Sequence, residues 1–131
     1  MPATLTIRDE STSGQTLNEW ALEVLTERIT VRELIRSRVY QEVQDYNRMQ
    51  PEVYRGLVQP SGAEAALNGV RLKKQRQIDW REQFEKAVEA FEKQQILILV
   101  DDRQLDSLEE EIEIKPGCVV SFLRLTLLVG G

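Results

Sequence analysis

The sequence predicts a single-domain α+β protein, and three observations predict it. Residues 4–8 alternate polar and apolar side chains and are followed, after a short loop, by a second extended run. A capped helix with one apolar stripe opens at Thr30. Two β-rich runs, 96–100 and 119–125, occupy the last third of the chain. The stretch from about 48 to 94 reads as an insertion with its own helix, and without it the order is ββαβ(β)β.

Composition narrows the function classes. A chain of 131 residues is long enough for one domain with a real core. A formal charge of −5 with scattered Lys and Arg argues against nucleic acid as the main partner. No charged segment leads into an apolar h-region, and no apolar run approaches about 18 residues, so neither a secretion signal nor a membrane span is expected. A cytoplasmic monomer is the expectation. The single cysteine, Cys118, excludes an internal disulfide. The absence of histidine removes Ser-His and Cys-His catalysis and His-ligated zinc together. The chain is therefore not expected to be an enzyme or to hold a metal.

The first strand is Thr4-Leu5-Thr6-Ile7-Arg8, with Leu5 and Ile7 on one face. Residues 9–15, with Ser11, Ser13 and Gly14, supply a turn. In 17–25, Trp20, Leu22 and Val24 alternate against Asn18, Ala21 and Glu23. Leu17, Ala21 and Leu25 also fit a helical spacing, but the strand before them favours a hairpin. Thr30 and Glu33 then form a capping box, each side chain satisfying a backbone N–H of the other. Val31, Leu34, Ile35, Val39, Val43 and Tyr46 make the stripe of a helix ending near Asn47, placed to cover the sheet.

From Met49 to Gly69 the chain is punctuated by Pro51, Gly56, Pro60, Gly62 and Gly69, and reads as a loop with a short helix near 63–67. Val53, Tyr54, Leu57 and Val58 are its apolar cluster. Lys73, Lys74 and Arg76 form a basic cluster, either a solvated face or a docking patch for an acidic partner. Asp79 caps a second helix with Glu82 three residues on, and Trp80, Phe84, Ala87, Val88 and Phe91 form its stripe. These aromatics are expected to pack on the domain's own surface.

Ile96 to Val100 is a short continuous apolar run of the kind found in buried strands. Asp101-Asp102-Arg103 makes a turn, with Gln104-Leu105 as a short further strand. The acidic groups at 101–102 and 109–111 lack a spaced ligand pattern and read as solvated turn residues. Lys115-Pro116-Gly117 turns into the last strand, Val119 to Leu125, and 126–129 continue it toward Gly130-Gly131. A glycine pair shields a carboxylate little and adopts backbone angles closed to other residues, which suits passage through a narrow enzyme channel. Cys118 has no neighbouring base and is not expected to act as a nucleophile.

The run Ile96-Leu97-Ile98-Leu99-Val100-Asp101-Asp102-Arg103-Gln104-Leu105 resembles the third strand and following turn of ubiquitin. Ile112-Glu113-Ile114-Lys115 resembles the approach to ubiquitin's last strand, and both sequences end in Gly-Gly. The resemblance covers about 3–47 and 95–131 and implies a β-grasp (ubiquitin-like) fold with a helical insertion and a C-terminal tail at 126–131. It implies a protein modifier whose Gly131 carboxylate, next to Gly130, is adenylated and passed as a thioester to an amine on a target. ATP would be used by an activating enzyme, with a conjugating enzyme, a deubiquitinase-like protease and target proteins as the other partners. Val120 and Phe122 would face the core and Leu123 the partners. Leu99 is either Leu123's neighbour in that surface or plain core. Leu125, Leu127, Leu128 and Val129 make the tail apolar where ubiquitin's is rich in arginine, which together with the insertion suggests a prokaryotic modifier. Arg103 stands where ubiquitin has its main chain-linking lysine and cannot accept an acyl group. The lysines are Lys73, Lys74, Lys86, Lys93 and Lys115, mostly in the insertion, so ubiquitin-type chains are not expected. The sulfur-carrier proteins are also β-grasp proteins ending in Gly-Gly, so a C-terminal thiocarboxylate is the second reading. A non-conjugated β-grasp interaction module is the third.

Overall fold

A computed structural model describes residues 2–51, 53–54, 56–58, 60, 63–66, 69–72 and 77–125, with 63–66 and 69–72 described as backbone. The expected α+β class is observed. In chain order the elements are β1 (Ala3–Glu10), β2 (Thr16–Val24), β3 (Arg28–Thr30), α1 (Val31–Met49), β4 (Ala63–Ala66), β5 (Gly69–Leu72), α2 (Trp80–Glu92), β6 (Ile96–Val100), β7 (Arg103–Leu105), β8 (Glu111–Glu113) and β9 (Val119–Arg124).

Five strands form one mixed sheet in the order β2-β1-β9-β6-β7. The hairpin expected at 4–25 is its β1–β2 pair, with Ile7 opposite Trp20 and a bulge at Asp9–Glu10. β9 enters between β1 and β6, parallel to β1 with Thr6 opposite Val119, and antiparallel to β6. Period-2 alternation turns Leu5, Ile7, Leu22, Val24, Ile96, Ile98, Val120 and Phe122 toward one face, all buried. The run 96–100 is thus half-buried by alternation, not buried on both faces.

α1 lies against that face and starts as its sequence dictates. Glu33 N–H donates to Thr30 Oγ1 at 3.1 Å, and Thr30 N–H donates to Glu33 Oε1 at 3.2 Å. Two further N-terminal donors are met by the acidic segment, Val31 N–H on Glu110 O and Arg32 N–H on Leu108 O, both at 2.9 Å. The whole expected stripe, Val31 to Tyr46, is buried. Gln50 ends the helix at φ 46°, and Pro51 follows. The acidic segment also holds a strand that composition concealed. β8 pairs with β3, placing the buried Ile29 opposite the buried Ile112.

The insertion corrects one expectation. Residues 63–66 are a strand paired with 69–72, not a helix. Four residues between glycine-bearing segments are too few to nucleate a helix, whereas a two-residue connection suits a hairpin. On α2, Asp79 Oδ1 accepts from Arg81 N–H, while Glu82 pairs with Lys86. The fully buried face of α2 is Gln83, Ala87, Ala90 and Phe91, with Trp80, Phe84 and Val88 at its half-buried margin. As expected, α2 packs on the domain itself. Tyr54, Leu57, Val58, Ile78, Ala87, Ala90 and Phe91 belong to the same core as the sheet and α1. Asn47 clasps the backbone of Ile78, its Nδ2 donating to Ile78 O at 2.9 Å and its Oδ1 accepting from Ile78 N–H at 2.8 Å. Gln83 Nε2 donates to Val58 O at 3.1 Å, which explains how an amide tolerates the core. The basic cluster at 73–76 lies outside the described residues.

Candidate functional site

The sheet face turned away from α1 is built by the alternate residues of the same strands. Leu123 lies directly opposite Leu97, and Leu99 lies opposite Ser121. Leu97, Leu99 and Leu123 are half-buried, in contrast to the fully buried Ile96, Ile98 and Phe122. Leu99 is therefore an outer-face residue and not core. It stands diagonal to Leu123, whose direct cross-strand neighbour is Leu97, a residue the sequence reading had not singled out. The polar members of this face sit toward the β2 edge, where Arg8 Nε donates to Glu19 Oε2 at 2.9 Å.

The base of the tail is fixed at two points. Leu125 N–H donates to Gln95 O at 3.0 Å, and Arg124 Nη1 donates to Gly56 O at 3.3 Å. Leu125 itself is exposed at 41%. Leu127, Leu128, Val129, Gly130 and Gly131 lie outside the described residues. The turn before Arg103 uses two left-handed residues, Asp101 (φ 51°) and Asp102 (φ 65°), both exposed. Arg103 pairs with Glu110 across the β7–β8 loop. Cys118 is buried, and burial pushes its thiol up, which keeps the sulfur protonated at neutral pH.

Beneath the sheet lies a charged network that the sequence reading missed. Arg38, fully buried, donates from Nη1 to Asp9 Oδ1 and from Nη2 to Asp9 Oδ2, each at 2.6 Å, and from Nε to Glu42 Oε1 at 2.8 Å. The ring of Phe122 caps the guanidinium with 4.4 Å to its centroid. Burial pushes the Glu42 carboxyl above its ordinary value, against the attraction of Arg38. Burial likewise pushes the Tyr54 phenol up, reinforced by the charge of Glu42. The signal was present in phase: Asp9 continues the inward face of Leu5 and Ile7, and Arg38 falls inside the α1 stripe.

Among the described residues no group of three or more His, Cys, Asp or Glu converges on a metal site, and no helix is long and apolar enough to cross a membrane. No family model, curated protein or solved structure matches the chain.

Proposed function

We propose that this chain is a β-grasp protein modifier that acts through Gly131. The observation that carries the reading is the placement of the last strand. β9 is central in the five-stranded sheet, parallel to β1, it carries Leu123 opposite Leu97 on the outer face, and Gly130-Gly131 follow it in the sequence. The order β2-β1-β9-β6-β7 across one long helix supports the β-grasp assignment. In the proposed chemistry the Gly131 carboxylate attacks the α-phosphate of ATP on an activating enzyme and releases pyrophosphate. A cysteine thiolate of that enzyme displaces AMP to give a thioester. An amine of the target then displaces the thiolate to give an amide. This chain supplies the tail and the docking face, with Leu97, Leu99, Leu123 and Leu125 as the partner-binding residues.

The test is mass spectrometry of N-terminally tagged protein recovered under denaturing conditions from its native host. Arg124 is the last tryptic site, so a target would carry Leu-Thr-Leu-Leu-Val-Gly-Gly on an amine. That remnant is the expected result. An oxygen-to-sulfur mass change at Gly131 would establish a sulfur carrier instead, and neither product, with the partner enzymes present, would leave the interaction module.

A further inference from the structure

At the joint between α1 and α2, two arginines and a tyrosine gather around one half-buried indole. Arg36 and Tyr40 stand one turn apart on α1, while Trp80 and Arg81 open α2. The guanidinium of Arg36 lies 5.3 Å from the Trp80 ring centroid and that of Arg81 5.0 Å, so one ring holds both cations. Tyr40 meets the same ring edge-on at 5.3 Å, and Phe84 lies tilted at 6.5 Å. The cluster is open to solvent, with Tyr40 43% exposed and Arg36 and Arg81 both exposed.

Two like charges held on one ring repel each other, and no described carboxylate pairs with either. The acidic groups nearest in the chain are committed elsewhere. Glu33 Oε1 accepts from Thr30, Glu82 pairs with Lys86, and Asp79 Oδ1 accepts the backbone N–H of Arg81 and not its guanidinium. Glu85, one turn along from Arg81, is exposed and forms no ion pair with it. In sequence, the residues leading to Gln77 are Lys73-Lys74-Gln75-Arg76, which bring no carboxylate of their own. A guanidinium lying over an aromatic ring keeps its in-plane N–H donors available, and these match a carboxylate two at a time. The net charge of −5 opposes a long polyanion, whose many charges would meet the rest of the surface, and leaves a short segment with few carboxylates.

We infer that Arg36, Tyr40, Trp80 and Arg81 form a docking site for a short acidic peptide segment of a partner protein, its carboxylates on the two guanidiniums and an apolar side chain against the rings. The site uses neither Gly131 nor the outer leucines, so it stands or falls independently of the tail chemistry.

The experiment is an NMR titration of the ¹⁵N-labelled full chain with acetyl-Glu-Leu-Glu-Leu-Glu-amide, its acetyl-Gln-Leu-Gln-Leu-Gln-amide counterpart, and oligothymidylate as a polyanion. The expected result is a saturable shift of the Trp80 indole N–H and of the Arg36 and Arg81 Nε–H signals with the glutamate peptide, absent with the glutamine peptide. The Trp20 indole, on β2, should stay in place and serves as the internal control. Arg36→Gln and Arg81→Gln should each weaken binding about threefold to fivefold, the scale of an exposed charge pair, and the double variant about tenfold or more. Both arginines are exposed and neither guanidinium is hydrogen-bonded to a described residue, so the variants should fold. No saturable shift at millimolar glutamate peptide, equal shifts with the glutamine peptide, or undiminished binding in the double variant would overturn the assignment. Saturation by oligothymidylate at lower concentration than by the peptide would overturn the partner class.

Discussion

Arg38 grips both carboxylate oxygens of Asp9 at 2.6 Å, with neither side chain exposed to solvent. The bidentate geometry joins the first strand to the middle of α1, and Phe122 of β9 lies over the guanidinium. Three elements distant in sequence therefore meet at one planar group.

Arg38→Met should be severely destabilising. It leaves Asp9 and Glu42 buried without their shared cation, for which the cost is about 3–5 kcal/mol. Urea denaturation monitored by circular dichroism measures it, and a loss below about 1 kcal/mol would show that the pair contributes little.

Glu42→Gln should behave in the opposite sense, with a definite pH dependence. The folded-state pKa of Glu42 lies above its unfolded value, so the folded protein takes up this proton more readily. The stability contributed by that uptake is fully present below about pH 4 and is lost as the pH rises through the folded value. The stability of the Gln variant relative to the parent should therefore be higher at pH 7 than at pH 4. Denaturation curves at the two pH values, showing the reverse order, would refute the assigned direction.

Gly56→Ala should lower stability by about 1–3 kcal/mol, because a Cβ there would collide with the ring of Tyr54. The near-ultraviolet circular dichroism of the Tyr46–Tyr54 pair should change with it, and an unaltered melting temperature would count against the close approach.

On the two faces of the last strand the same kind of truncation should differ in cost. Phe122→Ala removes a fully buried ring and should cost about 3–5 kcal/mol. Leu123→Ser, on the half-buried outer face, should cost about 1 kcal/mol or less and reduce transfer to a target instead. Comparable losses of stability at both positions would contradict the facing.

Trp80 reports on the insertion. Arg36 and Arg81 stand 5.3 and 5.0 Å from its ring centroid, and Tyr40 meets it edge-on at 5.3 Å. With Trp20→Phe leaving it the lone indole, its emission should lie to the blue of free tryptophan, and a solvent-like maximum would mean that α2 does not dock as described.

The parts of the fold legible from sequence were those written in a single period. The stripe from Val31 to Tyr46, the Thr30–Glu33 box and the alternation around Ile7 and Trp20 each declare themselves within one element. What escaped depends on partners distant in sequence. Ile112 pairs with Ile29 inside an acidic run, while the carboxylates around it keep to the surface, as expected, in ion pairs with Arg28, Arg32 and Arg103. Gln83 is buried because Val58 O awaits it, which no helical stripe can signal. In the candidate site, the outward position of Leu123 was legible only through the resemblance to ubiquitin's last strand. Its neighbour Leu97 was not, because the offset between β6 and β9 is set by pairing and not by either strand alone.

The side-by-side, same-direction run of β1 and β9 has a mechanical consequence. A pull applied between Ala3 and Arg124 would load the ladder from Thr6–Val119 to Glu10–Leu123 along its length, so its hydrogen bonds must rupture together and not peel apart one at a time.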